Sequence, residues 1–365
     1  MRNDDNLEAS PAPPLDDSRT GRRLSYDLLR LICILGVVAI HTFGLVAVNP
    51  AVQGTPAWLP AAILSNGFVW VVPVFVMLSG ALTLTARAHR GGPGAFLRRR
   101  SLRIIPALVV WPLVYLGIMV LVFGERYSPV ELVTAIVDGS IYPHLYFLYL
   151  IAGLSFVAPV LAPFLREGDA RRALVLGVVV TTFTVVVFIV PGVLALRGVE
   201  RDIPLGILTY WLPYVGYFVL GYALSVARVP RAVVIGAGIV GLLAWLLVLF
   251  QASADTPVLD AFLRPDYLGA GVAVLSAATF VVGVRLLDRV RIGGRAVGVI
   301  GMLADAAFGV YLVHLIVLLL PYFLLPGFRD HTSFAQSVLA YVVILAISFP
   351  LVILARRVPV LRQVF

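Results

Sequence analysis

Ten stretches of about twenty apolar residues, separated by short polar segments, leave this chain few ways to fold. About 20 residues rising 1.5 Å each span roughly 30 Å, the thickness of a bilayer's hydrocarbon core. The stretches cover residues 26–48, 58–84, 104–123, 145–165, 173–196, 205–226, 232–250, 268–287, 299–325 and 334–355. Backbone groups in lipid must be paired within the segment, so the expected fold class is all-α, a polytopic bundle of about ten transmembrane helices. Hydrophobic residues make up 61% of the chain and charged residues 13%, a balance foreign to soluble domains.

Charge sets the orientation. Every one of the 28 basic residues is an arginine. With the N-terminus placed inside, 23 of them fall in inner segments and five, Arg126, Arg197, Arg201, Arg264 and Arg329, in outer loops. This asymmetry predicts ten crossings with both termini cytoplasmic, because one helix more or fewer would invert every later loop. The formal charge of +9 sits in short loops rather than on one long basic face, so no nucleic-acid partner is expected. Residues 1–24 read as a disordered cytoplasmic tail, 25–356 as the membrane domain and 357–365 as a second cytoplasmic tail. Abundant Ala, Val, Gly and Arg suggest a bacterial origin, and hence the cytoplasmic (inner) membrane with its lipids as surroundings.

Within the first stretch stand two residues that hydrocarbon does not tolerate cheaply, Arg30 and His41. Eleven residues of helix place them about 20° apart in azimuth and about 16 Å apart in height. Asp27, three residues before Arg30, extends the same stripe. His314, in the ninth stretch, lies at a height similar to that of His41, so the two imidazoles can line one cavity and carry protons near neutral pH. Tyr311 is one turn before His314 on the same face. Arg100 and Arg103, spaced to share a helix face at the inner surface, suit a polyphosphate bound through bidentate guanidinium contacts. His144 and Tyr146 open the fourth stretch, either as an interfacial aromatic belt or as a carbohydrate-facing patch.

Some chemistries are not signalled. There is no Gly-Lys-Ser/Thr phosphate loop, no His-Glu-x-x-His zinc pattern and no Gly-x-Ser-x-Gly elbow. Cys33 is the single cysteine, which excludes an internal disulfide and a thiolate cluster; no metal is expected.

Several segments resemble one family. DLLR at 27–30 followed by ten residues and His41 is similar to the Arg-x10-His signature of the acyltransferase 3 family of integral-membrane acyltransferases. PVFVMLSG at 73–80, containing Ser79, is similar to that family's second-helix motif. RSLR at 100–103 matches its Arg-x-x-Arg motif, HLYFLY at 144–149 resembles its HLWFL segment, and FGVYLVH at 308–314 matches its late YLIH motif. Tyr146 replaces the usual Trp, and Ala307 stands where a Ser is common.

The resemblance implies an O-acyltransferase that moves an acyl group, commonly acetyl from acetyl-CoA, to a hydroxyl of a surface or lipid-linked carbohydrate. It implies catalytic roles for His41, His314 and Tyr311, with His41 as general base or as transient acyl carrier. Donor binding falls to Arg30, Arg100 and Arg103, and acceptor binding to Asp27, Ser79, His144 and Tyr146. A secondary transporter or flippase for a glycan or small organic molecule is the alternative reading, since kinked helices and buried charge also suit it.

Overall fold

The computed structural model describes residues 23–254 and 256–365. The expected tail at 1–24 therefore lies almost wholly outside the described residues. The described residues form fourteen α-helices and no strand: α1 (Leu24–Ala47), α2 (Trp58–Asn66), α3 (Val71–Thr83), α4 (Gly92–Leu121), α5 (Pro129–Val137), α6 (Tyr146–Arg166), α7 (Ala170–Ala195), α8 (Val215–Val226), α9 (Arg231–Ser253), α10 (Pro257–Leu263), α11 (Ala270–Leu287), α12 (Gly294–Leu324), α13 (Pro326–Arg329) and α14 (Phe334–Ala355). Nine helical segments among the described residues are long and apolar enough to cross a membrane, α2 and α3 together making one of them. Their outer faces expose Leu, Val, Ile and Phe, which solvates them in lipid.

The sixth expected crossing is shorter than its apolar run. Residues 205–211 are irregular, and the helical part is Leu212–Val226. Its residues Gly216–Ala223 are all buried, so this element is clothed by other helices and need not match the thickness of lipid. The third crossing starts earlier than expected, because α4 begins at Gly92 and carries the arginine run as helix rather than loop.

The second crossing is broken. Its hydropathy is continuous, yet the helix stops at Asn66 and resumes at Val71. Pro73 lies in the first turn of α3, where its missing N–H removes nothing from the helix ladder. The carbonyl of Gly67, released by the break, accepts a hydrogen bond from the indole N–H of Trp245 at 3.0 Å. A Cβ at Gly67 would lie 3.2 Å from that indole nitrogen, so glycine makes room for the partner that pairs the exposed backbone.

Below the break, α3 lies directly on α8. A Cβ at Gly80 would overlap the backbone oxygen of Phe218, and one at Gly221 the backbone oxygen of Met77. Small residues on both helices allow this backbone-to-backbone approach. The expected tail at 357–365 packs back on the bundle: the indole of Trp111 donates to Val364 O at 2.9 Å, and the Phe365 ring meets that indole edge-on at 5.3 Å.

Candidate active site

Five helices, α1, α3, α4, α6 and α12, enclose a cavity of about 500 Å³. Its wall changes character along its length. Arg100, Arg103, Arg30, Thr83 and Asp305 line the arginine-rich end. His41, His144, Tyr146, Tyr267 and Tyr311 line the opposite part. The connection is the geometry of α1: Arg30 and His41 share one face of an unbroken helix, about 16 Å apart along its axis.

Three imidazoles meet in the upper part. The His41 ring centroid is 5.2 Å from that of His314 and 6.4 Å from that of His144, and His144 is 5.6 Å from His314. They come from α1, from α12 and from the 3₁₀ turn Pro143–Leu145 that precedes α6. Among the described residues, no group of three or more His, Cys, Asp or Glu side chains is arranged to hold a metal ion.

Hydrogen bonds define the state of one of these rings. His314 is fully buried, and its Nδ1 faces two backbone acceptors, Tyr311 O at 2.7 Å and Val310 O at 3.2 Å. Carbonyls only accept, so the proton of the neutral ring is on Nδ1 and Nε2 carries the lone pair. The Tyr311 hydroxyl donates to the backbone oxygen of His144. Tyr115, from α4, donates to Leu312 O at 2.8 Å and lays its ring edge-on to His144 at 4.8 Å. Neither ring nitrogen of His144 has a hydrogen-bond partner among the described residues, and neither has Nε2 of His314.

At the arginine-rich end, Arg100 donates to the Thr83 hydroxyl at 2.6 Å, which pins it across to the last turn of α3. Arg100 and Arg103 line the cavity together, as their spacing of three on one helix face requires. Arg99 points elsewhere, donating to Ala88 O and Arg90 O and fixing the preceding loop. Arg30 lies 3.7 Å from Asp27, whose side chain is 8% exposed.

Between the two ends stands an aromatic collar. Phe75 and Phe147 have centroids 6.2 Å apart, Phe147 and Tyr311 5.4 Å, and Phe308 and Tyr311 6.2 Å. Phe308 is one turn of α12 nearer the arginine-rich end than Tyr311.

The structure brings nine of the ten candidate residues together: Arg30, His41, Ser79, Arg100, Arg103, His144, Tyr146 and Tyr311 line the cavity, and His314 backs His41. Asp27 is not on the wall; it stands beside Arg30 as its ion-pair partner. His144 and Tyr146 are not an interfacial belt. His144 is buried in the imidazole cluster, and Tyr146 lines the cavity together with Tyr267. Sequence reasoning missed Asp305, although an acid nine residues before His314 in an apolar stretch is a signal of the same kind as Arg30. It also missed Tyr267, which lies in an outer loop with no pattern to mark it.

A family model of the Acyl_transf_3 type, described as an acyltransferase domain, matches residues 23–357. No curated protein and no solved structure matches the chain significantly. The matched segment carries the arginine-lined end, the imidazole cluster and the helices that hold them, and the chain belongs to this family of membrane acyltransferases.

Proposed function

We propose that the chain transfers an acetyl group from acetyl-CoA, bound at the cytoplasmic face, to a hydroxyl of a cell-surface or lipid-linked carbohydrate at the membrane of a bacterial cell. The observation that carries this reading is the single cavity joining a triple-arginine end to His41. Arg100, Arg103 and Arg30 suit the phosphates of the donor, since guanidinium forks match phosphate oxygens and stay charged when partly buried. The acyl arm lies along the cavity toward His41. The collar of Phe75, Phe147 and Phe308 supports a short acyl group, because rings held on three helices leave little width for a long chain. Ser79, Tyr146 and Tyr267 offer hydroxyls and ring faces that suit a sugar.

In this reading His41 is the general base. It takes the proton of the acceptor hydroxyl as that oxygen bonds to the thioester carbon, and returns it to sulfur as the carbon–sulfur bond breaks. His314 offers its Nε2 lone pair beside the His41 ring and steadies the proton that His41 takes.

The test is CoA release from acetyl-CoA by purified protein reconstituted in lipid, with a panel of glycans, wild type beside His41→Ala. Release that rises with one glycan and falls at least 10²-fold in His41→Ala is expected. Undiminished release by well-folded His41→Ala overturns the assignment. Movement of a glycan across the membrane with no CoA released would instead support a transporter.

A further inference from the structure

Neither Tyr311 nor His314 has a proton to offer negative charge at the reacting carbonyl. Tyr311 gives its hydroxyl hydrogen to the backbone oxygen of His144. His314 holds its proton on Nδ1 against two carbonyls, which leaves a lone pair at Nε2. A lone pair turned toward a forming oxyanion repels it.

His144 differs from both. It is 3% exposed and lines the cavity, yet both of its ring nitrogens lack a hydrogen-bond partner among the described residues. A neutral imidazole always carries one N–H and one lone pair, and burying them unpaired costs about 1–3 kcal/mol. Such a cost in a tightly packed setting points to a function. The setting is tight: the Tyr115, Tyr142 and Tyr311 rings stand 4.8, 5.5 and 5.3 Å from the imidazole, and the Tyr311 hydroxyl holds its backbone. The His41 and His144 centroids are 6.4 Å apart on the wall of one cavity, so a carbonyl that reacts beside His41 lies within reach of the His144 ring.

We propose that His144 is the oxyanion donor of acyl transfer, its ring N–H meeting the thioester carbonyl oxygen. The inference rests on the acyl-transfer reading above. The acceptor oxygen bonds to the carbonyl carbon while its proton passes to His41. The carbonyl π pair moves onto oxygen, where the His144 N–H stabilises it. The pair then returns, the carbon–sulfur bond breaks, and the thiolate takes the proton from His41. His144 exchanges no proton.

The experiment compares wild type, His144→Ala and His144→Gln in lipid, reading steady-state CoA release and the carbonyl stretch of isotopically labelled acetyl-CoA bound without acceptor. Loss of one such donor costs about 10²–10³-fold in kcat. His144→Ala is expected to lose that much with donor KM little changed. His144→Gln, which keeps an N–H, is expected to recover part of it. The carbonyl stretch is expected at lower frequency in wild type and His144→Gln than in His144→Ala. Wild-type turnover by His144→Ala, or a bound carbonyl at its solution frequency in wild type, overturns the assignment and leaves acyl transfer standing. No CoA release and no donor binding by wild type overturns both. If His144→Ala does not fold, the wild-type stretch and His144→Gln still decide.

Discussion

The Nδ1 atom of His314 stands 2.7 Å from the carbonyl oxygen of Tyr311, three residues earlier on the same helix. This local bond fixes which nitrogen carries the proton, and so makes Nε2 an acceptor next to His41. A side chain that keeps the donor and discards the acceptor separates the two roles. His314→Asn places an amide N–H near the Nδ1 position and has nothing at Nε2. It is expected to keep the thermal stability of the parent within a few degrees while losing about 10²-fold in kcat. His314→Phe is expected to lose both activity and stability, since it removes both ring nitrogens and forces a larger ring into a fully buried site. Equal activity of His314→Asn and wild type would show that the acceptor is idle.

Much of this site is legible in the sequence because helices act as rulers. Eleven residues from Arg30 to His41 and the depth of His314 in its stretch suffice to put the two imidazoles at one height, and the centroids are 5.2 Å apart. The same holds for Arg100 and Arg103, three residues apart on α4. What the sequence conceals depends on partners distant in the chain. The break at 67–70 sits in an unbroken apolar run, and its pairing comes from Trp245, 178 residues later. His144 resembles a belt residue locally; a 3₁₀ turn and the Tyr311 hydroxyl, from α12, bring it into the cluster. The short α8 reads as a full crossing because hydropathy does not distinguish lipid from neighbouring helices as the apolar surroundings.

Donor recognition is expected to divide between charge and fork geometry. Arg103→Gln removes a charge from the cavity end and is expected to raise the donor KM about 10–100-fold, from the roughly 1.5–3 kcal/mol carried by a hydrogen bond to a charged group. Arg103→Lys keeps the charge and loses the bidentate fork, so an intermediate KM is expected. In both variants kcat is expected to change less than KM, because the phosphates are far from the bond that breaks. The check is steady-state kinetics over donor concentration, and a kcat effect larger than the KM effect would place Arg103 in the chemistry instead.

The collar predicts which acyl groups are accepted. Phe308 faces the cavity one turn nearer the arginine-rich end than Tyr311, in the path from the arginines to His41. Phe308→Ala removes a ring and opens space along that path. Relative turnover of butyryl-CoA against acetyl-CoA is expected to rise about tenfold or more, since each methylene accommodated in an apolar pocket is worth about 1–3 kcal/mol. Competition between the two donors measures the ratio directly. An unchanged ratio in a folded Phe308→Ala protein would mean that the acyl group does not pass the collar.

Stability at the cavity's back wall is expected to hinge on Gly80. Adjacent Ser79 faces the cavity, and α3 can hold it there because Gly80 lets the helix lie against α8. The atom that a new Cβ would strike is the backbone oxygen of Phe218, which cannot swing aside as a flexible side chain can. Gly80→Ala gains about 1 kcal/mol of helix propensity but forces the two helices apart, and overpacking of this kind costs about 1–3 kcal/mol. A net loss is expected, with a larger one for Gly80→Val. Thermal unfolding in detergent, followed by loss of monodisperse protein on heating, reads it. Because Gly221 meets Met77 O in the same way, Gly221→Ala is expected to behave alike, and the double variant is expected to lose less than the sum, since one separation of the helices relieves both clashes.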